Sequence, residues 1–281
     1  GGILFLFLFV YLVFFAGLRA PEIAPDYLNY IGWLNRVGLS LDTILAEFKD
    51  PGFLLAFSLV HWLGLPDFVF FCLIAYLSLQ SKVIFSKNIF LGCFSYLIFF
   101  LIFSRFYIVH DMVEVRVGAV IALASCGLIF FFRERYVKGI LFYLLGLSFH
   151  LSVVMYLPIF VLLFFGFKKL SRFNIAALLI GAFALSSLIS GFSAQLSEIS
   201  RLAPYLNGEY KTNALSLLSF YVIVRTALIV FILATFYKQL SDIEHFVLCM
   251  SAVGLALQIL LSWNDSFSLR TAELFGMFDM A

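Results

Sequence analysis

An arginine within an apolar run is the strongest chemical signal in this chain. Arg225 lies inside the apolar segment Leu215–Tyr237. A charged side chain at the centre of a membrane costs at least about 2.5 kcal/mol, and such residues are usually functional. A guanidinium binds phosphate or carboxylate through two parallel hydrogen bonds. We therefore predict that Arg225 binds an anionic group, with an ion pair to another helix as the alternative.

A second group of charged side chains is concentrated between two apolar segments. Its members are Arg105, His110, Asp111, Glu114 and Arg116. Two arginines, a histidine and two carboxylates can bind a phosphate and hold a general base. A solvated outer loop with internal salt bridges is the alternative. Arg116 is the strongest candidate, because it stands at the start of the apolar helix predicted over Val115–Phe132.

His150 is the candidate general base. It lies in the apolar stretch Leu147–Ser152, and a histidine can accept a proton at neutral pH. A histidine in such a stretch is more often a buried core residue, which is the alternative. Other polar candidates flank the apolar segments: Arg19, Asp26, Tyr30, Arg201, Arg270 and Glu273. A helix would put Asp26 and Tyr30 on one face, because they are spaced i, i+4.

The composition defines the elements that must position these side chains. Sixty-four per cent of the 281 residues are hydrophobic and 12% are charged, whereas soluble domains are about half apolar and about a quarter charged. This excess excludes an ordinary soluble protein and a disordered one. The apolar segments predict an all-α, polytopic transmembrane helical bundle with about 9–11 membrane segments. We expect a single integral membrane domain over residues 1–281 and further sequence at one or both ends, because the chain starts at Gly1 and stops within an apolar stretch.

Some of these segments are too short to cross a membrane. The loops near Arg135 and Lys168 are both predicted to face the cytoplasm, yet about 30 residues separate them, too few for two full spans. We predict a re-entrant pair of helices that meets near His150. We also predict that Phe53–Leu65 is a half-helix that turns back at Pro66, since broken helices are tolerated where they line a protein cavity.

The two predicted sides of the membrane carry different kinds of base. Loops at Lys82, Arg133, Lys168 and Lys238 are predicted to be cytoplasmic, and most lysines lie there. Most arginines fall on the opposite side. Lysine suits an anionic lipid surface, whereas the planar arginine fork suits carboxylate or phosphate. We infer an outer-facing cavity that handles an anionic group.

Several common kinds of site are excluded. The net charge is +2 and no basic run is long enough for a nucleic-acid patch. Each of the four cysteines lies in an apolar run without a CxxC pair, so we expect neither a disulfide framework nor a metal site. The sequence has no P-loop, GxSxG, HExxH or GxGxxG motif. We expect no cofactor.

Five short polar motifs follow one another along the chain. They are Arg19 followed by Asp26-Tyr-Leu-Asn-Tyr30, Asp50-Pro51, Arg116-Val-Gly-Ala119, His150-Leu-Ser152 and Arg270-Thr-Ala-Glu273. This ordered set resembles the EpsG-type branch of the Wzy-like bacterial polymerases of O-antigen and exopolysaccharide. The chain departs from the family pattern at Ala24-Pro25, which replaces the Gly expected before Asp26, at Asp50, where Glu is expected, and at Val117, where Gln is usual.

The resemblance implies a membrane glycosyltransferase that joins lipid-linked oligosaccharide repeat units at the outer face of the bacterial inner membrane. The donor would be a glycan on polyprenyl diphosphate. Membrane lipids and a chain-length regulator protein would be its partners, and nucleic acid would not. The implied catalytic residues are His150, Asp26 and Arg116. The diphosphate would be bound by Arg116 and Arg270 of the motifs, and by Arg225 and Arg105, which lie outside the motifs and rest on the physical argument. The glycan would be bound by Arg19, Tyr30 and Glu273 of the motifs, and by Arg201, Glu114 and Asp111, which lie outside the motifs.

Other activities stay open from the sequence. A lipid-linked glycan flippase would bind a similar substrate, and so would an O-antigen ligase-like transferase or a membrane acyltransferase. A transporter is expected to show internal repeats and polar residues that reach both sides. The polar set of this chain is concentrated on one predicted side, which favours an enzyme.

Overall fold

A computed structural model describes residues 2–20, 22, 24–37, 40, 42–44, 50–190, 217 and 219–281. Within these ranges the regular secondary structure is helical and contains no strand. The prediction of an all-α polytopic bundle is therefore confirmed. The chain divides into two compact units, Gly1–Gly166 and Phe167–Ala281, which are described separately. The single-domain expectation stays a prediction.

The first unit is built around one buried helix. Its elements are α1 (Gly2–Gly17), α2 (Pro25–Val37), α3 (Pro51–Trp62), α4 (Asp67–Ile89), α5 (Cys93–Phe106), a π-helical turn (Tyr107–Val113), α6 (Val115–Phe132), α7 (Tyr136–Phe149), a 3-10 helix (Leu151–Tyr156) and α8 (Leu157–Phe164). Helix α6 packs against α4 and α7, and every residue from Gly118 to Phe132 is buried. A helix that is apolar all round is the kind that a bundle encloses.

Small residues let α6 and α7 approach closely. A Cβ added at Gly127 would lie 3.0 Å from the Gly139 carbonyl oxygen, and one added at Gly139 would lie 2.9 Å from the Phe131 backbone nitrogen. Membrane helices associate through such glycine contacts, since lipid offers no hydrophobic driving force between them.

The second unit contains four helices among the residues described. They are α9 (Arg172–Ser190), α10 (Phe220–Thr235), α11 (Asp242–Leu260) and α12 (Asp265–Asp279). Helix α11 is the buried one, and it packs against α12, α9 and α10. The last helix begins at Asp265, before the predicted start at Arg270, because Asn264 caps it by accepting a hydrogen bond from the Phe267 backbone N–H at 3.2 Å.

Among the residues that the structure describes, four helical segments are long and apolar enough to cross a membrane: α4, α5 with its π-helical turn, α6 and α11. The other apolar helices are shorter. Helix α1 exposes large apolar side chains along most of its length, among them Ile3, Phe7 and Phe14. Contiguous apolar surface of this kind is what a lipid environment covers.

The predicted break at His150 is present. Helix α7 ends at Phe149, and His150 adopts an extended conformation (φ −164°, ψ 135°) before the 3-10 helix begins. Helix α3 is also short, at 12 residues. Helices α7 and α3 are therefore both well below the length of about 20 residues that a full span requires. How these pieces sit in the membrane stays a prediction.

Two loop predictions are wrong. Helix α4 runs through Lys82 to Ile89 instead of giving way to a cytoplasmic loop. Likewise, α5 continues as a π-helical turn through His110 and Asp111, where the sequence predicted an outer loop. Both helices continue because Lys82 and Asp111 are buried together as an ion pair, so that each compensates the other's charge.

Candidate active site

The site begins with an unusual backbone position. Asp50 precedes α3 in the left-handed conformation (φ 52°, ψ 53°), and Pro51 opens the helix. A residue before proline normally adopts extended backbone, and a non-glycine residue held outside its preferred region costs on the order of 1–3 kcal/mol. Aspartate tolerates the left-handed region better than most residues. In this conformation the Asp50 side chain is buried.

The Asp50 carboxylate joins two residues predicted to be catalytic. Its Oδ2 atom accepts a hydrogen bond from Arg116 Nη1, and its Oδ1 atom lies 3.2 Å from His150 Nδ1. Arg116 is in the first turn of α6 and His150 directly follows α7. Three breaks between helices therefore supply one cluster.

The position of Arg116 is electrostatically unfavourable for its helix. The N-terminus of a helix carries a partial positive charge that disfavours a cation. The Asp50 carboxylate offsets this, since it contacts Arg116 while lying at the N-terminus of α3. The buried carboxylate therefore compensates the charge of Arg116 at a position that is otherwise unfavourable for a cation.

Aromatic rings surround the Arg116 guanidinium. Its central carbon lies 5.8 Å from the Tyr30 ring centroid and 5.5 Å from that of Trp33. Both rings contact Phe53 of α3, at 5.6 Å and 6.1 Å between centroids. Phe53 in turn meets Phe149, the residue before the histidine, at 6.2 Å. The cluster is thus held by packed aromatic residues, and cation–π attraction adds to the ion pair.

Gly52 allows the ends of α3 and α7 to meet. A Cβ at this position would lie 2.2 Å from Ser148 Oγ and 2.8 Å from Ser148 Cβ. No larger residue fits without movement of α7. Close approach of these helix ends brings Asp50 within reach of His150.

The cluster keeps hydrogen-bonding capacity for a ligand. Arg116 Nε is buried and has no partner in the part of the chain that the structure describes. The His150 side chain is 25% exposed, and its recorded polar contact is through Nδ1. When Nδ1–H donates to the carboxylate, Nε2 carries the lone pair that accepts a proton.

Charged residues near the Asp50 cluster act on the hydroxyl of Tyr30. Burial raises the pKa of its hydroxyl, Arg116 and Arg19 act to lower it, and Asp26 and Glu114 act to raise it further. The helix α2 carries both Asp26 and Tyr30, as their spacing predicted. The phenol stays protonated at neutral pH, so it can donate a hydrogen bond.

Other predicted residues of the first unit have different recorded contacts. Asp111 is fully buried, where it accepts hydrogen bonds from Lys82 Nζ and from Ser78 Oγ at 2.5 Å. Arg105 is in the last turn of α5 and half-buried. Glu114 precedes α6, and its Oε2 lies 3.9 Å from His110 Nε2.

In the second unit, Arg225 is part of a buried polar network. Its Nη2 donates to Asp279 Oδ1 at 2.6 Å and its Nη1 donates to Gln258 Oε1 at 2.7 Å. Ser251 Oγ also donates to Asp279 Oδ1, at 2.7 Å. This is the ion pair to another helix that the sequence left open, and the diphosphate role of Arg225 stays a prediction.

Three predicted residues remain to be located. Arg270 is exposed and Glu273 half-buried on α12. Arg201 lies outside the described residues.

Sequence reasoning missed Asp50 and Trp33 as members of the site. Asp50 was noticed only for its motif with Pro51, which marks a helix start but names no partner. Only the fold reveals that its two oxygens bind residues 66 and 100 positions away. Trp33 carried no signal beyond its proximity to Tyr30 in sequence.

These features define a polytopic all-α membrane protein with an Asp–Arg–His cluster, built on a buried aspartate, at the breaks between short helices. The chain belongs to the EpsG family, whose model matches residues 2–281. EpsG proteins are a Wzy-like polymerase family, which confirms the resemblance found in the sequence. No curated protein and no solved structure matches the chain.

Proposed function

We propose that this protein polymerises lipid-linked oligosaccharide repeat units by glycosyl transfer from a polyprenyl-diphosphate-linked donor to an acceptor sugar hydroxyl. Membership of a Wzy-like polymerase family supports the polysaccharide class. One observation carries the catalytic assignment: Asp50 Oδ1 lies 3.2 Å from His150 Nδ1 while its other oxygen contacts Arg116.

His150 is the general base of the proposed reaction. The acceptor oxygen attacks the anomeric carbon of the donor while its proton passes to His150 Nε2. The bond from that carbon to the diphosphate oxygen breaks, and the diphosphate leaves with the electron pair. Asp50 holds the imidazole in the required tautomer and stabilises the positive charge that it gains, a role that a carboxylate plays in other acid–base pairs. Asp26 is the second choice for the base.

Arg116 stabilises the leaving diphosphate. Only Nη1 is committed to Asp50, and Nε has no described partner, so the guanidinium retains donors for phosphate oxygens. Preorganised donors at developing negative charge are usually the largest electrostatic contribution to catalysis. Once His150 is protonated, two cations flank one carboxylate, and the cluster carries the net positive charge that a leaving anion requires.

The remaining predicted residues have supporting roles in the proposal. Tyr30, next to Arg116, donates to a sugar or phosphate oxygen, with Arg201, Glu114 and Glu273 as further substrate contacts. Arg105 and Arg270 add positive charge for the diphosphate. The ion pair with Asp279 supports a structural role for Arg225, and the one with Lys82 supports the same for Asp111.

We place the reaction at the outer face of the bacterial inner membrane. There the substrates would be a lipid-linked glycan and the surrounding lipids, and a chain-length regulator protein would be a partner. The arginine-rich side predicted from the sequence supports this orientation.

A polysaccharide gel of cells that lack this protein tests the proposal. We expect a band of one repeat unit without a ladder, and a full ladder after complementation with the wild-type gene. Complementation by His150→Ala should leave the single band at equal protein level. Lipid-linked units trapped on the inner face, with no surface glycan at all, would instead identify a flippase.

A further inference from the structure

A second arginine of the first unit is buried in a different setting. Arg19 follows α1 and is 6% exposed. Its Nη1 donates to the Ala16 carbonyl oxygen at 2.5 Å. Its guanidinium carbon lies 4.4 Å from the Phe71 ring centroid and 5.6 Å from that of Tyr27. These two rings stack on each other at 4.7 Å between centroids.

Most of the hydrogen-bonding capacity of Arg19 is unused. Its Nε and Nη2 atoms are buried without a partner in the described part of the chain. The charges that act on it come from tyrosines and a cysteine rather than from a carboxylate. Arg116, Lys82 and Arg225 each contact a carboxylate instead. A buried charge is normally paired, because leaving water without a partner is costly.

Desolvation of this kind affects the guanidinium itself. Burial lowers the pKa of Arg19, although arginine remains protonated at any physiological pH. The side chain is therefore a permanent cation with free N–H groups in a pocket of aromatic rings. An oxyanion would satisfy both the charge and the donors.

The surroundings of Arg19 indicate which kind of anion it would bind. Helix α1 ends at Gly17, and the apolar Phe14, Phe15 and Leu18 that surround its end are largely exposed. Such a surface suits lipid chains. The charged group found where lipid chains end is a phosphate, and arginine binds phosphate through two parallel hydrogen bonds.

We propose that Arg19 is a binding site for the phosphate of a membrane lipid, separate from the Asp50 cluster. The Tyr27 and Phe71 rings lie against the guanidinium, and both unpaired nitrogens are shielded from solvent. The phosphate reaches them when the Tyr27 ring moves off Phe71. The lipid is a polyprenyl phosphate or diphosphate, an identification that rests on the proposed function, or a bilayer phospholipid.

Lipid binding to the purified full chain in detergent tests the site. Native mass spectrometry would follow titration with undecaprenyl phosphate, with phosphatidylglycerol and with uncharged undecaprenol. We expect Arg19→Gln to weaken binding of a phosphate lipid by about tenfold or more, the effect of losing charge-assisted hydrogen bonds. Arg36→Gln is the matched control, because Arg36 is exposed at the end of the neighbouring helix α2 and should not change the affinity.

The two sources of phosphate give different results. Dependence on Arg19 for undecaprenyl phosphate alone identifies the polyprenyl lipid, whereas equal dependence for phosphatidylglycerol identifies a general phospholipid site; both support the proposal. Unchanged affinity for both lipids in a folded Arg19→Gln protein overturns it.

A measurement on the wild-type chain keeps the test decisive if Arg19→Gln does not fold. Hydrogen exchange of the segment around Arg19 and Tyr27 should slow when the phosphate lipid is added, but not when undecaprenol is added. Equal exchange in both samples overturns the proposal. These results do not depend on polymerase activity, so they separate failure of this site from failure of the proposed function.

Discussion

His150 Nδ1 lies 3.2 Å from Asp50 Oδ1, although the two residues are 100 positions apart in the chain. The contact links the break after α7 to the start of α3. Because Arg116 contacts the other oxygen of the same carboxylate, one buried side chain organises both a proton acceptor and a cation. The chemistry that we propose depends on this shared carboxylate.

Replacing Asp50 by Asn removes the negative charge of the side chain and keeps its shape. The amide occupies the same volume but cannot stabilise a protonated His150, so we expect polymerisation to slow by about 10²-fold, at the lower end of general-base effects. Asp50→Glu, which matches the family pattern, should retain most activity. The rate of ladder formation by purified protein gives the comparison.

The losses of rate from replacing Asp50 and His150 should not be additive. If Asp50 acts through His150, the double variant Asp50→Asn with His150→Ala should be no slower than His150→Ala alone. Additive losses of rate would show that the carboxylate acts elsewhere.

Arg116→Lys should keep the charge and lose the planar fork. Lysine cannot contact Asp50 and retain parallel donors for phosphate, and it loses stacking on Tyr30 and Trp33. We expect the yield of polymer to fall about tenfold or more at unchanged protein level. Arg36→Lys, an exposed site on α2, is the matched control. A normal ladder from Arg116→Lys would remove the residue from the mechanism.

Removing one member of the Lys82–Asp111 pair should destabilise the bundle, and the pair should take no part in catalysis. Asp111→Leu leaves a buried, uncompensated lysine and should lower the free energy of unfolding by about 3–5 kcal/mol. Lys82→Met combined with Asp111→Leu should recover the thermal melting temperature in detergent and give a normal ladder. A stable double variant without a ladder would instead support the glycan contact that the sequence predicted for Asp111.

Arg225 is open to the same kind of test in the second unit. Arg225→Met leaves the buried Asp279 carboxylate without the compensating charge of Arg225 and should reduce the melting temperature. The double variant Arg225→Met with Asp279→Leu should recover part of that loss. Polymer should follow the amount of folded protein. Loss of polymer from a well-folded double variant would restore Arg225 to the diphosphate site.

The helical bundle was predictable because composition and apolar runs specify it directly. The break at His150 was predictable for a related reason: the length between two basic loops excluded two full spans. Helix α4 was not, since the sequence marks Lys82 as a polar loop residue and says nothing of the distant Asp111 that permits its burial. Local patterns report a charge, whereas the partner that compensates it is a property of the fold.

The candidate site was predictable in some of its members and not in its geometry. Arg116, His150 and Tyr30 were found from their unfavourable positions and from the family motifs. Asp50 was not, because a single carboxylate before a proline has many structural roles. Its chemical role becomes visible only in the fold, where one oxygen contacts Arg116 of α6 and the other contacts His150 after α7.

The most direct test of the account is elongation by purified protein in proteoliposomes supplied with polyprenyl-diphosphate-linked repeat units. Wild type and His150→Gln would be compared at equal amount and equal melting temperature. We predict that wild type forms products longer than one repeat and releases polyprenyl diphosphate, and that His150→Gln does so about 10²–10⁴-fold more slowly. Equal rates for the two proteins, or no elongation by wild type, would contradict the account.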